Sequence, residues 1–71
     1  PMNQERILES TMEALEKYRG HWPEIAQRSK LSYSWIIKLM NGGTKNPRIK
    51  EVQRLVTTLN RIKKGKIQLN S

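Results

Sequence analysis

The sequence predicts an all-α domain, a small bundle of four to five short helices around one core. Three observations predict it. Apolar residues recur at three- and four-residue spacing through most of the chain, cap and stop residues separate those stretches, and only one brief segment near the end alternates apolar and polar. A chain of 71 residues is well below the size at which cores divide, so one domain is expected, burying roughly 60% of its unfolded surface. Its 35% hydrophobic and 28% charged residues are a globular balance rather than a disordered one. No cysteine is present to supply a disulfide or a thiolate zinc site, so support for a thin core is expected from a partner or a second copy.

Residues 4–19 place Ile7, Leu8, Met12, Leu15 and Tyr18 near one side of a first helix, with Glu5, Glu9, Glu13 and Glu16 along a neighbouring side. Asn3 suits its cap and Gly20 its end. Nothing basic or metal-binding accompanies the four glutamates, so they read as a solvated face and carry no chemistry. Pro23 fits the first position of a second helix, with Glu24 at the positive end of its dipole, Ile25 and Ala26 facing inward, and a stop near Ser29. Ser32 caps a third helix in which Trp35, Ile36, Leu39 and Met40 recur at helical spacing, and Asn41-Gly42 ends it with a left-handed glycine. A polar loop over 43–47 follows. Asn46 and Pro47 then read as the cap and first position of a fourth helix, whose apolar face is Ile49, Val52, Leu55, Val56, Leu59 and Ile62. Lys66 to Asn70 alternates over five residues, which suits a short strand that pairs with another chain or frays. The domain is therefore drawn over 2–62, with a basic tail over 63–71 as a candidate dimerisation arm. Pro1 precedes Met2, an order that translation does not normally produce, and is left out of the reasoning.

Charge narrows the function further. Fourteen Lys and Arg against six acids give a net +8, and the excess is uneven: residues 1–27 carry −2 and residues 28–71 carry +10. Such asymmetry on a small domain points to a polyanion, with DNA or RNA the commonest. Common enzyme constellations lack their parts, because the chain has no Asp, no Cys and a single histidine, His21. No cofactor, metal ligand set or small-molecule substrate is expected. Gly42-Gly43-Thr44-Lys45 lacks the spacing and the preceding strand of a nucleotide-binding loop. No apolar run approaches the ~18 residues that span a bilayer, and the first residues lack the layout of a signal peptide, so a soluble cytoplasmic protein without a membrane partner is expected.

Two short helices joined by a tight turn, the second opening with polar residues and closing with an apolar seam, form the layout of a helix-turn-helix. Ala26 supplies the small residue where the helices cross, and Ile25, Leu31, Ile36 and Leu39 fall at buried spacings. Ser32, Tyr33, Ser34 and Lys38 are left projecting. The run Ile25-Ala26-Gln27-Arg28-Ser29-Lys30-Leu31-Ser32-Tyr33-Ser34-Trp35-Ile36-Ile37-Lys38-Leu39-Met40-Asn41-Gly42, followed by Thr44-Lys45-Asn46-Pro47-Arg48, resembles the repressor and Cro proteins of lambdoid phages over residues 22–59. The resemblance implies a helical bundle that binds double-stranded operator DNA as a homodimer, with the recognition helix in the major groove, in the cytoplasm of a bacterial host. It places Tyr33, Ser34 and Lys38 at base-reading positions. By the same resemblance Trp22, Ser32, Asn41, Gly43, Thr44, Lys45 and Arg48 stand at backbone-contacting positions. Gly42 and Gly43 amides can approach phosphate closely, or serve only to stop the helix. Dimer contacts are expected from Ile62, Ile67 and Leu69, which have no obvious partner within the chain.

Several positions depart from the family pattern. Lys30 stands where the motif usually has a glycine of positive φ, at a cost on the order of 1 kcal/mol if left-handed. Ser29 occupies a position that is usually apolar. Trp22 either donates its indole N–H to phosphate or braces the first helix, and Trp35 faces either the core, which is favoured, or the DNA side. Glutamine, which dominates base reading in some relatives, is absent from Tyr33, Ser34 and Lys38, so no operator sequence transfers. The sequence reading is thus a Cro- or repressor-type transcription regulator that occupies operator DNA. Its alternatives are a non-specific nucleic-acid module and an antitoxin- or anti-repressor-type protein-interaction module.

Overall fold

The computed structural model describes residues 4–44 and 46–69. The chain is an all-α bundle of four helices: α1 (Gln4–Lys17), α2 (Trp22–Ser29), α3 (Tyr33–Met40) and α4 (Ile49–Lys63), with a 3-10 turn (Arg19–His21) between α1 and α2. Its radius of gyration is 11.3 Å, against about 11 Å expected for a compact domain of this length. The helices thus close on one another without a second chain. The core cluster is Leu15 of α1, Trp22, Ile25 and Ala26 of α2, Ile36 and Leu39 of α3, and Leu55 and Leu59 of α4. The central element is α2, which packs on both α3 and α4.

Three of the four helices end in the same way. In α2 the Leu31 amide donates to the Ala26 carbonyl at 2.9 Å and the Lys30 amide to the Gln27 carbonyl at 3.2 Å. In α3 the Gly43 amide reaches the Lys38 carbonyl at 2.8 Å and the Gly42 amide the Leu39 carbonyl at 3.3 Å. In α4 Lys66 reaches Arg61 at 2.8 Å and Gly65 reaches Ile62 at 3.0 Å. This paired closure satisfies the last carbonyls of a helix and requires one left-handed residue. Gly42 (φ 76°) and Gly65 (φ 79°) supply it without strain, whereas in α2 the residue is Lys30, at φ 59° and ψ 39°.

Some boundaries differ from the sequence reading. The first helix ends at Lys17, and Gly20 lies inside the 3-10 turn instead of closing α1. Its proposed cap, Asn3, falls outside the described residues. Trp22 opens α2, so Pro23 is its second position rather than its first. The fourth helix begins two residues late, at Ile49 after Arg48, because Pro47 is buried in the approach to the helix instead of starting it. Ile49 itself is 57% exposed and leaves the apolar face to Val52, Leu55 and Leu59.

The expected C-terminal strand is absent among the described residues; Asn70, its last residue, lies outside them. The left-handed turn at Gly65 reverses the chain, the Ile67 amide bonds the Arg61 carbonyl at 3.3 Å, and Leu69 packs against the core cluster. An alternating segment without a partner strand gains more by covering its own domain. The dimerisation reading of the tail rested on Ile62, Ile67 and Leu69 lacking intrachain partners, and that premise is corrected. Ile62 and Leu69 both pack on the core cluster, and Ile67 is half-buried.

Lys30→Gly should raise stability by about 0.5–1 kcal/mol, or an increase in Tm of several degrees for a domain of this size. Thermal unfolding followed by circular dichroism measures it; a lower Tm would mean that the Lys30 side chain contributes more than its backbone strain costs.

Candidate nucleic-acid interface

The local chemistry of α3 explains how one eight-residue helix presents two unlike faces. Ser32 is extended (φ −79°, ψ 150°), and its Oγ accepts the Trp35 amide at 3.0 Å. That bond satisfies one of the orphan donors at the helix start and fixes the first turn. From there Ile36 and Leu39 point into the core at 0% and 1% exposure, and Trp35, Ile37 and Met40 pack against its edge. Ser34 and Lys38 are exposed, and Tyr33 is one of two large hydrophobic residues left in solvent among the described residues, at 49%. A phenol half in water at a helix start, beside a serine and one turn from a lysine, can donate, accept and make apolar contact. Those are the contact types that base edges and thymine methyls use.

Of the remaining candidates, Arg48 precedes α4, and Ser32, Asn41 and Thr44 flank α3 in the chain. Ser32 precedes it, and because its Oγ is the acceptor in the cap, the hydroxyl proton stays available to an anion. At the other end Asn41 is exposed, Thr44 is half-buried, and Arg48 is exposed at the start of α4 with no side-chain capping bond. Lys45 lies outside the described residues.

Two candidates are corrected. Trp22 is only 5% exposed, and its indole Nε1–H donates to the Leu15 carbonyl at 2.8 Å. The donor that the sequence reading offered to phosphate therefore ties α2 to α1, and Arg19, paired with Glu16, stacks over the ring at 4.8 Å from its centroid. Gly43 is the second correction. Its amide donates to the Lys38 carbonyl and the Gly42 amide to the Leu39 carbonyl, so both amides close α3. A Cβ at Gly43 would stand 3.4 Å from the Lys38 carbonyl oxygen, an ordinary contact, so the fold does not require glycine at this position.

Sequence reasoning missed one cationic feature. Arg28 and Lys30 at the end of α2 face Lys50, Arg54 and Arg61 of α4 across a groove. The spacing of Lys50, Arg54 and Arg61 does mark one stripe of α4, but their assembly with Arg28 and Lys30 depends on how α2 crosses α4. Among the described residues no group of His, Asp, Glu or Cys is arranged to hold a metal ion, and no helix is long and apolar enough to cross a membrane. No protein-family model, curated protein or solved structure matches the chain.

Trp22→Phe should lower stability by about 1–3 kcal/mol through the lost indole bond and reduced volume, while leaving nucleic-acid affinity within twofold. Denaturant unfolding and a binding isotherm on the same samples check both. A large affinity loss in a stably folded variant would return Trp22 to the interface.

Proposed function

We propose that the chain is a sequence-specific DNA-binding regulator in which α2 and α3 act as a helix-turn-helix and α3 enters the major groove. The observation that carries this reading is the division of α3. Ile36 and Leu39 anchor it in the core, while Ser32, Tyr33, Ser34 and Lys38 lie together in solvent at its N-terminal half and outer side. The excess of positive charge over residues 28–71 supports it by supplying the sequence-independent attraction that holds a protein on a phosphate backbone. Tyr33, Ser34 and Lys38 read base edges, and Ser32, Asn41, Thr44, Lys45 and Arg48 hold the backbone on either side. Two chains on symmetric half-sites about 34 Å apart would place two α3 helices in successive major grooves on one face of the duplex. Regulation then follows from occupancy of a promoter, with no chemistry on the DNA.

Selection of duplexes from a random library, followed by salt titration of the winner against a scrambled control, tests this function. A preference of at least a hundredfold for the winner is expected; equal affinity would leave a non-specific nucleic-acid module, and no binding would leave a protein-interaction module. Lys38→Ala should relax preference at one base position by about 1–3 kcal/mol. Arg48→Ala should weaken all duplexes alike and make the salt slope shallower by about one unit. Identical behaviour of the two variants would remove Lys38 from base reading.

A further inference from the structure

The groove between the end of α2 and α4 shares no lining residue with the exposed face of α3. Its volume is about 570 Å³, and five cations border it: Arg28, Lys30, Lys50, Arg54 and Arg61. Neither an acidic nor an apolar side chain lines it; the rest of its wall is Ser29, Gln53 and threonine. We infer that this groove is a second nucleic-acid contact, one that holds a phosphodiester backbone without reading bases. It stands whether or not α3 reads sequence.

Three observations carry it. The first is extent. Lys50 and Arg61 are eleven residues apart on a helix, about 16 Å at 1.5 Å per residue. A row of that length is matched by several successive charges, not by one small anion. Duplex DNA carries one negative charge per about 1.7 Å of axis, so such a row always has phosphates opposite it. The second is wall chemistry. Protein partners bury apolar and aromatic anchors and avoid lysine, whereas nucleic-acid surfaces are polar and strongly positive. A groove with two lysines, three arginines, hydroxyls and an amide, and no aliphatic or aromatic anchor residue, fits the second kind.

The third observation is Ser29. Its side chain is 2% exposed, it lies in the groove wall, and its Oγ has no hydrogen-bond partner among the described residues. The other two buried hydroxyls do not share this condition: Thr11 donates to the Ile7 carbonyl at 2.7 Å and Thr58 to the Arg54 carbonyl at 3.0 Å. A buried hydroxyl left unpaired is unfavourable, and rotation about χ1 is the small adjustment by which Ser29 would meet a phosphate oxygen in the groove. Lys30 adds to the same site. Glycine would close α2 without strain, as it closes α3 and α4, yet the residue is a lysine whose side chain borders the groove.

The test is a nitrogen-15 NMR titration of the full chain with a random-sequence 20-base-pair DNA duplex, reading the arginine Nε–H signals of Arg28, Arg54 and Arg61 beside the α3 amides. The groove signals are expected to move saturably and to return as salt is raised. Arg54→Gln with Arg61→Gln should weaken the affinity read from the remaining groove signal about tenfold or more and make its salt slope shallower by about two units. Lys30→Gly should weaken it too while the protein becomes more stable, a combination that damage to folding cannot produce. Movement of the groove signals on this duplex would keep this inference whether or not the α3 amides move, since base reading by α3 is judged on the selected duplex; movement of the α3 amides alone would overturn it. Groove signals that shift with protein concentration in the absence of DNA, and not with DNA, would assign the groove to a second copy of the chain and overturn the inference as well.

Discussion

The left-handed closure of α2 is the constraint on which the rest of the molecule depends. The Leu31 amide on the Ala26 carbonyl closes α2 and turns the chain toward α3, and this closure has Lys30 at positive φ. Three consequences follow from that single turn. Leu31 is delivered against the core, Ser32 is left extended to cap α3, and Ala26, 2% exposed, sits at the crossing where a larger side chain would hold the helices apart. A domain of this size has a total stability of about 4–10 kcal/mol. Strain of about 1 kcal/mol at Lys30 is therefore a sizeable fraction of it, tolerated because the turn also orients α3.

The other end of α2 is fixed by a different device. The Trp22 indole fills the corner between α1 and α2, and its N–H adds to the bond that the Tyr18 amide already makes to the Leu15 carbonyl at 3.0 Å. With both ends pinned, α2 serves as the reference against which α3 and α4 are placed. The turn-back at Gly65 completes the enclosure by bringing Leu69 onto the core. A thin core thus gains cover from the tail, which the sequence reading assigned to a partner.

Much of this was legible in the sequence. The four helices, the Ser32 cap and the left-handed glycine at Gly42 each follow from a local rule: a periodicity, a capping side chain or a glycine stop. Positive φ at Lys30, by contrast, was raised only by the family resemblance, which places a glycine there. What escaped were features decided by residues distant in sequence. The Trp22 donor had two plausible acceptors until α1 placed the Leu15 carbonyl beside it. The Gly43 amide is a local exception: it bonds the Lys38 carbonyl five residues back, and the left-handed Gly42 already implied that closure. The tail read as a strand since an alternating segment carries no sign that the chain will reverse before it. The basic groove was invisible for the same reason, as Arg28 and Arg54 are neighbours only after α2 crosses α4. Positions on α3 were easier to read because burial of Ile36 and Leu39 determines which side of that helix remains outside.

The distribution of charge gives these surfaces their independence. Glu9, Glu13 and Glu16 are exposed on α1, while the cations of the α2 end, the α3 face and α4 lie later in the chain. The molecule measures 30 × 26 × 19 Å, and at physiological salt the field of an exposed charge decays over about 8 Å. The acidic face of α1 therefore does little to cancel attraction at the basic surfaces, even though it lowers the net charge of the whole. An approaching polyanion meets local charge rather than the average of +8. Local charge alone does not choose a sequence, since attraction to phosphate is the same for every duplex. Discrimination has to come from contacts to base edges, and of the two basic surfaces only the α3 face joins a lysine to an exposed tyrosine and serine. The groove, lined by cations, hydroxyls and an amide without an exposed aromatic ring, is suited to hold a backbone and unsuited to choose a sequence.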